Sequence, residues 1–311
     1  MSLSAETAKI YDRQIRLWGV DAQNRMLKTR VLVYGIRGLS AEVCKNIVLA
    51  GVGHVCIMDK DVVTYQDLGA QFFIEEKDVG KNRAEASLQR IQELNPYVKV
   101  TCEAGDIATK DATFFDNFDI VFLTNCSLNE QIRVNDITRQ KGSLFFAADT
   151  FGLYAIMFED LLKLDIKIKK KDSTFVQEKS IQFKSLREVQ KVDIKKVRRL
   201  SELWLAMQLL YEYHRHVGRL PNVDEEDQVI SFKNDVFLKG HGLSGMTVRD
   251  DVVKSLCRNA NAELNPVCAI VGGVAAQEII KAISRDSDPL DNYFVYDGVE
   301  SFSGFVERIS L

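Results

Sequence analysis

RVLVYGIRGLSAEVCKNIVLAGVGHVCIMDKD, from Arg30 to Asp61, alternates apolar runs with glycine breaks. Val31–Tyr34 is a short apolar run rich in β-branched residues, as a strand covered on both faces requires. Gly35 breaks it. From about Ser40 to Ala50, Val43, Ile47 and Val48 recur at helical spacing, and Gly51 supplies the stop. His54–Met58 reads as a second strand, ending at Asp59. Strand, glycine loop, helix, strand and acidic residue, in that order, open a Rossmann-like unit.

The alternation continues downstream. Arg83–Glu93 reads as helix, stopped by Asn95-Pro96. Val98–Cys102, Asp119–Leu123 and Ser143–Ala147 read as strands, with a helix at Asn129–Gln140. The expected class is therefore α/β: a Rossmann-like, mostly parallel sheet with helices on both faces. Upstream, residues 5–27 read as one amphipathic helix, with Ser4 as its cap. Residues 160–200 are lysine-rich and alternate polar with apolar, which suits strands or a crossing loop. Helices are expected at residues 200–217, 225–239 and Asp250–Asn259. Asn265 can cap a last long helix, with Pro266 in its first turn and Val267–Ile283 as its body. Gly272-Gly273 inside that helix is unfavourable by propensity and implies close approach of another backbone. Tyr293–Tyr296 and Gly304–Ile309 read as final strands.

The glycine loop is degenerate. GIRGLS stands in the slot of a G-x-G-x-x-G phosphate loop, where glycines let backbone N–H groups approach a pyrophosphate at a helix N-terminus. Gly35 and Gly38 hold their places, but Arg37 replaces the second glycine and Ser40 the last. Asp59 lies 24 residues after Gly35, where a ribose-binding carboxylate is expected. It reads equally well as an ordinary strand-end aspartate.

The bulk numbers bound the function. A net charge of −3 over 311 residues gives no reason to expect nucleic acid as a partner. The first 19 residues lack the apolar core of a signal peptide, and no apolar run is expected to span a bilayer. Six cysteines without a C-x-x-C pair, and only four histidines, argue against a structural zinc site. Thiols inside apolar runs suit a reducing compartment, cytoplasm or nucleus. The basic runs Lys169–Lys171 and Lys195–Arg199 read as nuclear import signals or, more simply, as solvated charge.

Tyr11–Gly19 (YDRQIRLWG), Cys44–Asp61, Ala70–Pro96, Asn265–Ser284 and Asn292–Gly298 resemble, in order, the ubiquitin-activating enzyme superfamily that includes the MoeB and ThiF adenylyltransferases. The resemblance implies a ThiF-type adenylation fold. It divides the chain into a pseudo-adenylation part at 1–159, an inserted or crossing segment at 160–260, and a return at 261–311. Members of this superfamily adenylate the terminal glycine of a small modifier with ATP and magnesium. Active members carry L-N-R-Q-F, a lysine in G-K-S-K-A, and a magnesium-binding aspartate in D-C-T-D-N. Here the first reads Leu68-Gly69-Ala70-Gln71-Phe72, the second has Arg83 for lysine, and the third has Leu128 for aspartate. Leucine offers no oxygen to magnesium.

The resemblance thus implies a nucleotide site decayed at Gly35, Arg37, Gly38, Ser40, Asp59, Gly69, Ala70, Arg83 and Leu128. The chain itself is expected to bind no cofactor and no metal. ATP and magnesium would be held by a large catalytic partner subunit in a heterodimer, to which Arg13 reaches in trans like an arginine finger. Arg16, three residues on, reads as a helper or as a surface ion pair. Length and the Pro266–Gly273 run resemble the small subunits of SUMO-type activating enzymes best, which implies contact with SUMO through the complex and a nuclear and cytoplasmic location. Gly272-Gly273 then packs either within the chain or near the subunit interface. Rival readings are a small subunit for another modifier, a stand-alone MoeB/ThiF-like adenylyltransferase, an NAD-dependent oxidoreductase, and a scaffold without catalytic partner.

Overall fold

A computed structural model describes residues 5–169, 176–197, 200–243 and 248–309. Ser4, Lys170, Lys171, Arg198 and Arg199 lie outside the described residues, so the expected cap and parts of both basic runs do too. The frame is an eight-stranded sheet in the order β10-β9-β6-β5-β4-β1-β2-β3. Its parallel half comprises β1 (Arg30–Tyr34), β2 (His54–Asp59), β3 (Lys99–Ala104), β4 (Ile120–Leu123) and β5 (Leu144–Phe151). Antiparallel strands β6 (Tyr154–Asp160), β9 (Tyr293–Asp297) and β10 (Ser303–Glu307) extend one side. Strands β7 (Lys163–Lys169) and β8 (Val176–Gln182) pair separately as a ribbon.

Both sheet faces are covered, as the continuous apolar strands require. In β1, Val31 and Val33 point into one apolar layer, and Leu32 and Tyr34 into the other. The first layer takes α2 (Asp12–Met26), α3 (Gly38–Ala50), α4 (Arg83–Glu93) and α11 (Asn265–Ser284). The second takes α5 (Leu128–Lys141), α6 (Leu186–Gln190), α7 (Glu202–Val217), α8 (Glu226–Phe232) and α10 (Asp250–Asn259). Between the last two, the chain runs through a π turn at Lys233–Phe237 into a single turn, α9 (Leu238–Gly240). Residues 160–260 thus supply the ribbon and every helix named in the second layer except α5.

Three expectations need correction. The helix expected at 5–27 is two, α1 (Ala5–Ile10) and α2, because Tyr11 leaves helical geometry between them. The Tyr11 ring is fully buried over Gly51, the left-handed stop of α3, where a Cβ would lie 2.6 Å from the ring. Asn95 Nδ2 donates to the Tyr11 hydroxyl at 2.8 Å. A second break falls at Gly19, with φ 85°. Asn265 does not cap α11: Leu264 holds the cap position and no side-chain cap bond forms. Finally, α11 does reach the length and apolar character of a membrane span, yet 67% of that window is buried in this fold. Its hydropathy is that of a core helix.

Gly272 and Gly273 divide sharply. A Cβ at Gly272 would sit 2.5 Å from Glu42 Cβ and 3.2 Å from the Leu39 carbonyl, so this glycine lets α11 cross α3. Among the described residues, no neighbouring element comes within 4 Å of a Cβ at Gly273. Gly272→Ala should therefore lower stability by about 1–3 kcal/mol through overpacking. Gly273→Ala should raise it by up to ~1 kcal/mol through helix propensity. Urea unfolding of the two variants checks the contrast, and equal effects would refute it.

Candidate functional site

The loop between β1 and α3 is built as a phosphate loop is built. Gly35 sits at φ 84°, and a Cβ there would fall 2.4 Å from the Thr124 carbonyl oxygen, so only glycine fits. Thr124 Oγ1 and Ser40 Oγ both donate to the Gly35 carbonyl, at 2.6 and 2.5 Å. At Gly38 a Cβ would meet Ala70 Cβ at 2.7 Å and Cys268 Sγ at 3.0 Å.

Four N–H groups of the loop, those of Gly35 to Gly38, are already engaged. Gly35 N donates to the Met58 carbonyl at 2.9 Å. Ile36 N donates to Asp59 Oδ2 at 2.7 Å, and Arg37 N to Ser40 Oγ at 2.8 Å. Gly38 N donates to Glu263 Oε2 at 2.9 Å. A helix N-terminus attracts an anion; here the anion is a glutamate of the same chain. Asp59 uses its second oxygen on Asp61 N at 2.8 Å. Of its two sequence readings, the geometry matches the strand-end aspartate that ties the loop to β2.

The Arg37 side chain fills this space. Its Nη1 donates to Asn125 Oδ1 at 3.1 Å, and its Nε lies 3.4 Å from Asp67 Oδ1 and 3.6 Å from Glu263 Oε2. The Asp67 carboxyl is wholly buried and takes hydrogen bonds from Thr64 N, Thr64 Oγ1 and Arg83 Nε at 2.7, 2.9 and 3.0 Å. Burial alone would raise this carboxyl; the Thr64 bonds and the Arg83 charge outweigh it and hold Asp67 below the usual range. Arg83 also reaches Asp61 at 3.4 Å. Positive and negative charges thus close on one another inside the cradle.

The remaining sequence-flagged residues scatter. Ala70 packs onto Gly38, whereas Gly69 borders open space. Leu128 begins α5 and points into the second apolar layer beside Val189 and Trp204, not into the cradle. Next to Arg37 and Asn125 lies a cavity of about 100 Å³, bordered by Asp149, Tyr211, His214 and Glu263. Small-ligand pockets commonly run to roughly 300–1,000 Å³. Asp149 accepts from Tyr211 Oη (2.6 Å), Asn125 N (2.7 Å) and Gln131 Nε2 (3.0 Å), and burial raises its carboxyl to about 6. Sequence reasoning missed Glu263, Asp67, Asn125 and Asp149. Asp67 adjoins the flagged Leu68–Phe72 stretch and could have been found there; Glu263 gives no local signal.

Arg13 lies elsewhere. It follows the buried Tyr11, is exposed, and has no ion pair or side-chain hydrogen bond among the described residues. Tyr11 docks at the end of α3 remote from the loop, and 13 residues of helix span about 20 Å. Arg16 is paired with Asp12 at 2.8 Å, both well exposed.

The ThiF family profile matches residues 11–310. A protein of Rattus norvegicus called SUMO-activating enzyme subunit 1 is 38% identical over 98% of this chain and 95% of its own. Its namesake in Homo sapiens is 38% identical, over 98% and 96%. The one in Danio rerio is 36% identical, over 99% and 96%. Among solved structures, PaaA superposes with a TM-score of 0.62 at 17% identity, covering 99% of this chain and 84% of that one. MccB of E. coli gives 0.58 at 16% identity, over 96% and 71%; these two likenesses speak to the fold alone.

Two outcomes follow from the cradle. Glu263→Ala strands the Gly38 N–H and leaves Arg37 short of a counter-charge, so unfolding free energy should fall by about 1–3 kcal/mol. A loss under ~0.5 kcal/mol in chemical denaturation would count against the contact. Asp149 sets a pH signature. Its folded pKa, about 6, exceeds the ordinary 3.8, so the folded state holds that proton more tightly than the unfolded chain. The associated stability is full below the ordinary value and is lost as pH rises through about 6. Measured against Asp149→Asn across that window, the natural protein should lose stability while the variant stays flatter.

Proposed function

The chain belongs to the ThiF family, and from that membership we propose that it is the small, non-thioester-forming subunit of a SUMO-activating enzyme. Its partner is a large subunit that holds ATP and magnesium and carries out adenylation and thioester formation of SUMO. The support is threefold: relatives named subunit 1 across nearly the whole chain, a cradle closed by its own charges, and a free arginine at the far end of α3.

The observation that carries this reading is the placement of the two arginine sets. Arg37 and Arg83 are neutralised inside the loop region, where a triphosphate and its metal would have to displace Glu263 and part buried ion pairs. The residues present do not fit ATP–magnesium: a carboxylate stands at the helix N-terminus, and the metal-ligand position is the apolar Leu128. Arg13, by contrast, is held on a helix whose root is locked by Tyr11. About 20 Å of helix separates that root from its own loop, beyond the reach of one side chain. A guanidinium placed there serves a site on another chain. In the adenylation that the resemblance implies, negative charge gathers at the α-phosphate, and Arg13 supplies a positive charge already in position. Nuclear and cytoplasmic residence is proposed with the pathway.

In the reconstituted two-subunit enzyme, Arg13→Ala should leave assembly intact and slow SUMO adenylation by about 10²-fold, the scale for losing one preorganised charge donor. Pyrophosphate exchange reads the rate, and size-exclusion chromatography reads assembly. An unchanged rate, or exchange by the small subunit alone, would overturn the proposal.

A further inference from the structure

The pole of the sheet opposite the glycine loop carries a cleft that the proposed function does not use. It encloses about 460 Å³ and runs between the ends of α2, α5 and α11 and the first residues of β1, β4 and β5. Arg25, Lys28, Arg30, Lys141 and Arg285 line it, against only Asp116 and Asp119. In a chain whose net charge is −3, this is a local concentration of positive charge. Between the charges the cleft is floored by the largely buried Phe118 and Ile283.

Part of that charge has an internal purpose. Helices end here, and cations suit helix C-termini. Arg25 donates to the Ile283 and Ser284 carbonyls at the end of α11. Arg30 is bound to Asp119 at 3.1 Å, and Lys141 to Asp116 at 2.6 Å. The two remaining cations are surplus. Among the described residues, neither the Lys28 nor the Arg285 side chain has an ion pair or hydrogen bond, and both are exposed. Arg285 also closes α11 at φ 57°, a left-handed position where glycine is the favoured residue. An arginine there is strained; its carbonyl accepts from Lys167 N at 2.9 Å, but among the described residues its side chain has no polar partner.

We propose that this cleft is a docking site for an acidic peptide segment of a partner protein, with carboxylates on Lys28 and Arg285 and an apolar side chain between them against Phe118 and Ile283. Charge complementarity selects the acidic segment. The alternation of cations with apolar floor selects a peptide over a compact polyanion, which would leave the apolar floor uncovered. The volume falls within the roughly 300–1,000 Å³ typical of specific pockets.

The probe is a fluorescein-labelled pentapeptide, one isoleucine with two glutamates on each side, titrated with the purified full chain and followed by fluorescence anisotropy. Saturable binding is expected, weakening as salt is raised. The double variant Lys28→Glu/Arg285→Glu should weaken it at least tenfold with an unchanged thermal midpoint, whereas Lys28→Arg/Arg285→Lys should retain it. A lysine-for-glutamate version of the peptide should not bind. Absence of saturation at low salt, equal affinity in the double charge-reversed variant, or complete displacement by equimolar tripolyphosphate would each overturn the proposal.

Discussion

The carboxylate of Glu263 at the N-terminus of α3 is the contact on which the arrangement of the glycine loop depends. A helix start presents unpaired N–H groups and a partial positive charge, and something negative must meet them. Here that group arrives from the far end of the chain, two residues before α11 begins. It brings Cys268 over Gly38 and sets α11 against α3, where Gly272 allows the close crossing. Arg37 then has to balance Glu263, Asp67 has to balance Arg37, and Arg83 has to balance Asp67. Removing one member leaves a partly buried charge without its counterpart, which is far more unfavourable than never having built the set.

The same logic separates what could be read in the sequence from what could not. The first strand, helix and second strand were legible because apolar spacing and glycine stops are local properties of Arg30–Asp59. The substitutions at Arg37, Ser40, Arg83 and Leu128 were visible as departures from a motif. Where their side chains go was not. Arg37 turns inward because Asn125, Asp67 and Glu263 converge on it from three other segments. The break at Tyr11 has the same kind of cause: the pocket over Gly51 lies 40 residues away and outweighs local helix propensity. Strand β6 escaped notice because it continues the apolar run of β5, with only a short turn between. Asn265 had the composition of a cap, but the helix begins one residue too early for it to act as one.

Electrostatics ties the closed loop to the open arginine. Charges inside the cradle interact strongly because water is largely excluded, so they are best satisfied by one another and are poor recruits for a transient ligand. Arg13 is in the opposite condition. Water screens an exposed guanidinium and costs it little, so it can stand without a partner; its Asp12 neighbour is already taken by Arg16. Such a charge acts strongly only where another surface displaces the solvent around it. Under the proposed function, docking of the two subunits and activation of Arg13 are then one event, because the interface that positions the guanidinium also lowers the dielectric in which it works. A lysine at this position would carry the charge, but not the planar, permanently protonated fork that a phosphate oxygen pair recognises. The rigid root at Tyr11 matters for the same reason: electrostatic stabilisation depends on a charge that is already in place when the transition state forms.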